Sequence, residues 1–142
     1  MVGQAALLAA CAGSWVFWHA NWGLGAVLAG LVLAAAGATM GIWAGAALGK
    51  ALTSYPSPVP DARFVGNGPY RLVRHPIYGG VVIGVVGISV VLGSPPALSV
   101  CVVLVGFFVL KARAEEARLG ARYPEYAGYR ERVPWRLLPW VV

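Results

Sequence analysis

The sequence predicts an all-α fold: a polytopic membrane bundle of about four transmembrane helices with a cytoplasmic C-terminal tail. Three observations predict it. Of the 142 residues, 59% are apolar and only 11% charged, against about 25% charged in a soluble domain, and the mean hydropathy is +0.72. Every Lys, Arg, Asp and Glu falls in two blocks, 50–74 and 111–136. The apolar stretches outside those blocks are each interrupted once, by residues suited to a turn at a membrane surface.

The first stretch has no charged side chain before Lys50. It is too long for one crossing, which takes about 20 residues. Its polar break is His19-Ala20-Asn21-Trp22-Gly23, which separates a helix over 3–19 from one over 24–50. The second carries Gly37, Gly41, Gly45 and Gly49 at a four-residue period. Such a stripe lets another backbone approach closely, either within the bundle or across a homodimer seam. Residues 51–67, with Pro56, Pro58, Pro60 and Gly66, read as a loop. The second apolar block runs from His75 to Leu110 and breaks at Gly93-Ser94-Pro95-Pro96. This predicts helices over 77–92 and 97–121, the last continuing into the charged block. Pro124, Pro134 and Pro139 break up the tail, and Trp135 and Trp140 would anchor it at the membrane surface.

Four helices with tight turns place both termini, the 50–76 loop and all eleven basic side chains on one side. By the positive-inside rule that side is the cytoplasm. The net charge of +6 is therefore assigned to anionic headgroups and not to nucleic acid. The N-terminus lacks the basic region of a cleaved signal. Cys11 and Cys101 lie in apolar runs, and no disulfide framework or metal-ligand spacing is visible. The expected location is a bacterial inner membrane.

Polar chemistry gathers in two clusters. The first is Gly68-Pro69-Tyr70-Arg71-Leu72-Val73-Arg74-His75-Pro76-Ile77-Tyr78-Gly79-Gly80. Pro76 suits a first helical turn, and free N–H groups there, with Arg74 alongside, suit a carboxylate or phosphate. An ordinary interface anchor has the same composition. The second cluster is Lys111–Pro139, with Glu115 and Glu116 about one turn past the apolar run. Adjacent positions point about 100° apart on a helix, so one carboxylate could face inward, toward the loop holding His75, while ion pairing with Lys111 or Arg118 accounts for the other; a solvated helix face has the same composition.

Together the clusters resemble the isoprenylcysteine carboxyl methyltransferase and phospholipid methyltransferase superfamily. The resemblance covers about 55–142 and rests on Gly68, Pro69, Tyr70, Arg71, Arg74, His75, Pro76 and Tyr78, a helical hairpin, Glu115, Glu116 and Leu119, then Tyr126, Tyr129, Val133 and Pro134. Tyr123-Pro124 stands where the family has an aromatic-glycine pair. The length of 142 residues argues for a single domain over 1–142: a helical hairpin over 1–54, which matches the family only as generic helices, and a core over 55–142, which the resemblance implies binds the cofactor. The resemblance also implies S-adenosylmethionine as methyl donor. The cofactor-binding residues it implies are Gly68, Tyr70, Leu72, Val73, His75, Pro76, Tyr78, Glu115 and Glu116, with Ile77 also beside the adenine. A lipid-like acceptor bearing a carboxylate would need a cation, from Arg74, Arg113, Arg130 or Arg132. An amine or thiol acceptor would need a base, Glu116 or His75. Arg74, Glu116 and Arg132 are the catalytic candidates, and no metal is implied. Two other readings are an NADPH-dependent membrane reductase of the sterol reductase type, and a non-enzymatic bundle assembled through the glycine stripe.

Overall fold

The structure is a computed structural model that describes residues 2–49 and 65–141. Its elements in chain order are α1 (Val2–Phe17), α2 (Gly23–Leu48), a single 3-10 turn (Gly68–Arg71), α3 (Pro76–Val91), α4 (Pro95–Arg122) and α5 (Tyr126–Arg132). There is no strand among the described residues. The all-α expectation holds, and each of the four predicted helices is present with its ends shifted by a few residues. The end of the second predicted helix at Lys50 and most of the 51–67 loop lie outside the described residues.

Two helices, α2 and α4, are long and apolar enough to cross a membrane, whereas α1 and α3 are shorter apolar helices. Two local differences have clear causes. Pro95 and Pro96 do not separate helices but open α4, because the first turn has no intrahelical use for the N–H that proline lacks. The tail contains an unpredicted helix, α5. At seven residues it is too short to persist on propensity alone and exists through packing.

The chain divides into two compact units, Met1–Thr39 with Gly80–Phe108, and Met40–Gly79 with Val109–Val142. The first unit contains none of the chain's Asp, Glu, Lys or Arg residues. Its core includes Cys11, Val82, Val85, Ala97, Cys101, Leu104 and Phe108. α2 meets α3 there backbone to backbone. A side chain at Gly37 would collide with the amide of Gly84, and one at Gly30 would come within 2.8 Å of the Gly87 carbonyl oxygen. The contacting glycines of α2 are thus seven apart, a spacing that stays on one helix face to within about 20°. A four-residue step drifts by about 40° each time, so the stripe from Gly37 to Gly49 winds off the seam. A Cβ at Gly41 meets nothing within 4 Å.

Several polar side chains of this unit are hydrogen-bonded to each other or to main-chain carbonyls. Trp15 Nε1 donates to Ser89 Oγ at 3.0 Å, and Ser89 donates to the Val85 carbonyl at 2.7 Å. Ser94 donates to the Ser14 carbonyl at 3.1 Å. The turn after α3 is locked by Ala20 N–H donating to the Gly93 carbonyl at 2.7 Å. Gly93 has φ +62°, and a side chain there would collide with Ala20, so glycine is required. Meanwhile Leu24, Leu28, Leu31, Val32, Val102 and Val103 are exposed. An apolar surface of that extent suits hydrocarbon and would promote aggregation in water.

Candidate functional site

The second unit holds both polar clusters. Its first piece is a bend. Gly68 adopts φ +56°, and Pro69 occupies the first positions of the 3-10 turn, where its missing N–H costs nothing. The turn closes with Leu72 N–H on the Pro69 carbonyl at 3.0 Å. Tyr129 of α5 donates its hydroxyl to the Tyr70 carbonyl at 2.7 Å, a buried bond. The buried face of α5 is Tyr126 and Tyr129, continued by Val133 just past its end, positions spaced to share one side of a helix.

Arg74 and His75 are held by main chain from the tail. Arg74 N–H donates to the Trp135 carbonyl at 2.9 Å and His75 N–H to the Arg136 carbonyl at 2.7 Å. A side chain at Gly79 would collide with the Leu137 carbonyl, so glycine there lets the tail lie against α3. Tyr78 and Gly79 N–H groups both donate to the His75 carbonyl at 3.1 Å. The amides of His75, Tyr78 and Gly79 are therefore engaged, and Pro76 has none. At the helix start read from sequence as an anion site, the tail thus takes the Arg74 and His75 amides.

Those side chains converge. Arg74 Nε lies 3.1 Å from Glu116 Oε1 and Arg136 Nε 3.2 Å from the same oxygen. Arg136 Nε also donates to Glu116 Oε2 at 3.3 Å. His75 Nε2 stands 3.4 Å from Glu116 Oε1, and its Nδ1 stands 3.7 Å from Glu115 Oε2. Tyr78 donates its hydroxyl to Glu115 Oε1 at 2.6 Å. The rings of His75 and Tyr78 stack nearly parallel at 5.5 Å, with Lys111 Nζ 4.8 Å over the Tyr78 ring. Arg74, His75 and Glu116 are buried. Burial draws the Arg74 guanidinium below its ordinary value while Glu116 opposes that fall. Burial pushes the phenols of Tyr70 and Tyr129 well up, and that of Tyr126 up to about 12 with the Glu116 charge adding to it.

Both glutamates thus face the histidine. Sequence reasoning allotted that place to one of them; the stacked His75–Tyr78 pair is broad enough to receive two carboxylates a third of a turn apart. Glu116 takes the cations and Glu115 the phenol.

The other predicted positions divide. Gly68, Tyr70, His75, Pro76 and Tyr78 belong to the bend, the first turn of α3 or the charge cluster. Leu72 is exposed and Val73 fully buried, so they do not share one slot. Arg132 is exposed, and its Nη1 lies over Gly128, 3.6 Å from where a Cβ there would stand. The arginine that reaches Glu116 from the tail is Arg136, which sequence reasoning missed. Position 132 lies about a quarter turn off the Tyr126–Tyr129–Val133 face, a phase that only the unpredicted α5 reveals.

Among the polar atoms shut away from solvent, Arg74 Nε, His75 Nε2 and Glu116 Oε1 have ion-pair distances but no aligned hydrogen bond. Among the described residues, no group of three or more His, Cys, Asp or Glu stands where it could hold a metal ion.

Comparison with known proteins places these residues in context. The family model of phospholipid methyltransferase matches residues 26–125. That span contains the Arg74-His75 motif and both glutamates, and it stops short of Tyr126, Tyr129 and Arg136. A curated relative, the cobalt-zinc-cadmium resistance protein CzcN of Cupriavidus metallidurans, is 36% identical over 74 residues, 49% of this chain and 33% of that protein. The chain spans about a third of the length of this relative.

Proposed function

We propose that this chain, which belongs to the phospholipid methyltransferase family, transfers a methyl group from S-adenosylmethionine to a lipophilic acceptor at the cytoplasmic membrane face. The observation that carries the reading is the buried meeting of Arg74, His75 and Arg136 with Glu116. Bringing ions out of water is costly, and apolar packing would hold helices together as well or better. A chain with so few charges that buries several together retains them for chemistry.

The residues present suit the cofactor. It carries an ammonium, a carboxylate, ribose hydroxyls and an adenine, and the cluster offers carboxylates, cations and aromatic faces with unaligned polar atoms among them. Glu115 and Glu116 would take the ammonium or the ribose hydroxyls by charge-assisted hydrogen bonds. Arg74 and His75 would take the carboxylate. When bound, the cofactor supplies a methyl group already activated by its sulfonium. The protein's own residues orient and exclude water: Arg74 and Arg136 hold the Glu116 carboxylate from two directions, and the Tyr129–Tyr70 bond fixes the bend beneath. Glu116, paired with two guanidiniums, is a poor base. For an amine or thiol acceptor that role falls to His75; a carboxylate acceptor needs none.

Four membrane crossings by α1–α4 fit the absence of charge from the first unit, and the collection of every charge in the second fits a cytoplasmic site in a bacterial inner membrane. A water-soluble donor then enters from the cytoplasm and a lipid from the bilayer. The name of the CzcN relative concerns metal resistance, and no metal role is carried over from it.

Titration calorimetry on detergent-purified protein tests the proposal. S-adenosylhomocysteine is expected to bind and NADPH is not. Binding of NADPH alone would replace the reading with a reductase, and binding of neither would leave a non-enzymatic bundle.

A further inference from the structure

The tail segment Trp135–Leu137 does two separate things to the site. Its main chain accepts the Arg74 and His75 amides, and its one charged side chain reaches Glu116 on α4. Arg136 is where both meet. Its carbonyl sets the histidine and its guanidinium sets the carboxylate that faces that histidine, 3.4 Å away.

We infer that Arg136 is a positioning residue for the site: its side chain fixes the orientation of the Glu116 carboxylate relative to His75, and so sets the affinity for the methyl donor. The inference rests on the methyltransferase reading. The geometry separates Arg136 from Arg74. Arg74 is almost wholly enclosed with Glu116, at 5% and 6% side-chain exposure, whereas Arg136 is 28% exposed. Removing the Arg136 side chain leaves Glu116 its buried partner, so the pair survives and the fold with it. It also leaves the main-chain bonds to positions 74 and 75, which need no particular side chain. What disappears is the contact that Arg136 Nε makes to both carboxylate oxygens. The carboxylate is then free to swing toward Arg74. A guanidinium makes that contact through a planar fork; a lysine supplies only a point charge, so it restores the charge and part of the geometry.

The test uses Arg136→Ala, Arg136→Lys and Glu116→Gln, singly and with Arg136→Ala in the Glu116→Gln background, all purified in detergent. Affinity for S-adenosylhomocysteine is measured by calorimetry on the folded fraction, and kcat and KM for S-adenosylmethionine are measured separately. A charge-assisted hydrogen bond supports a loss of about tenfold or more. The expected result is that loss of affinity in Arg136→Ala, a matching rise in KM exceeding any fall in kcat, partial recovery in Arg136→Lys, and less than about twofold further loss when Glu116 is already Gln. A merely structural arginine would lower the folded fraction and leave the affinity of the remainder unchanged; that result overturns the inference. So does an equal loss with and without the Glu116 carboxylate. Wild-type protein that fails to bind S-adenosylhomocysteine overturns the methyltransferase reading itself. Wild-type binding with an unimpaired Arg136→Ala variant overturns only the role given to Arg136.

Discussion

Replacing Glu116 with glutamine keeps the side chain's shape and removes its charge. In the folded protein that carboxylate is 3.1 Å from Arg74, 3.2 Å from Arg136 and 3.4 Å from His75. Its loss strands the Arg74 guanidinium, whose side chain is 5% exposed and cannot recover hydration in place. Breaking one side of a buried pair costs about 3–5 kcal/mol. For a chain of this size each kcal/mol moves the melting temperature by roughly 2–4 °C, so a fall of roughly 10 °C is expected. Glu115→Gln is the internal comparison. That side chain is 28% exposed and accepts one hydrogen bond, from Tyr78. Its loss costs about 1 kcal/mol, a shift of roughly 3 °C. Thermal unfolding in detergent, followed by tryptophan fluorescence, measures both. Equal small shifts, or a larger one for Glu115, would refute the assignment of Glu116 as the buried member.

Four further outcomes follow from other contacts. Tyr129→Phe strands the Tyr70 carbonyl, which accepts its hydroxyl at 2.7 Å, and is expected to lower stability by about 1–3 kcal/mol in denaturant titration. Gly79→Ala places a methyl against the Leu137 carbonyl; it is expected to displace the tail and reduce S-adenosylhomocysteine affinity in calorimetry. Gly37→Leu, which collides with Gly84, is expected to prevent folding, while Gly41→Leu, facing open space, is expected to keep the wild-type melting temperature. Stability is expected to hold through neutral pH and fall between about pH 10 and 12. In that window the Tyr126 phenol stays protonated when folded, with its value pushed from 10.0 to about 12, but ionises when unfolded. The folded state binds the extra proton, so rising pH favours unfolding; Tyr126→Phe should reduce the slope of melting temperature against pH there.

The helices were legible because each apolar run ends in residues that cannot prolong it. The His19–Gly23 break and the Gly93–Pro96 break mark their turns to within a few residues. The meeting of the Arg74-His75 motif with the twin glutamates was legible through the resemblance to a family motif. What the residues hid falls into two kinds. Main-chain bonds such as His75 N–H to the Arg136 carbonyl carry no side-chain signature, so the tail's grip on the motif has no pattern to read. Phase was the other difficulty. Arg132 and Arg136 are equally basic and close in sequence, and only the packing of α5 turns the first outward while the tail carries the second to Glu116. Phase also separates Gly37 from Gly41: within the bundle, a seven-residue step from Gly30 to Gly37 describes the seam with α3.

The stitch between the motif and the tail also bears on how the molecule is made. During synthesis the amides of Arg74 and His75 leave the ribosome long before Trp135 and Arg136 exist to accept them. Until then these amides must be hydrated or borrow other acceptors, since an unsatisfied amide is costly in an apolar setting. The charge cluster is therefore completed late in translation, after the upstream helices have been made. A stalled or shortened product lacking 135–137 would have the signature motif and both acids yet neither the main-chain acceptors for Arg74 and His75 nor the Arg136 contact to Glu116.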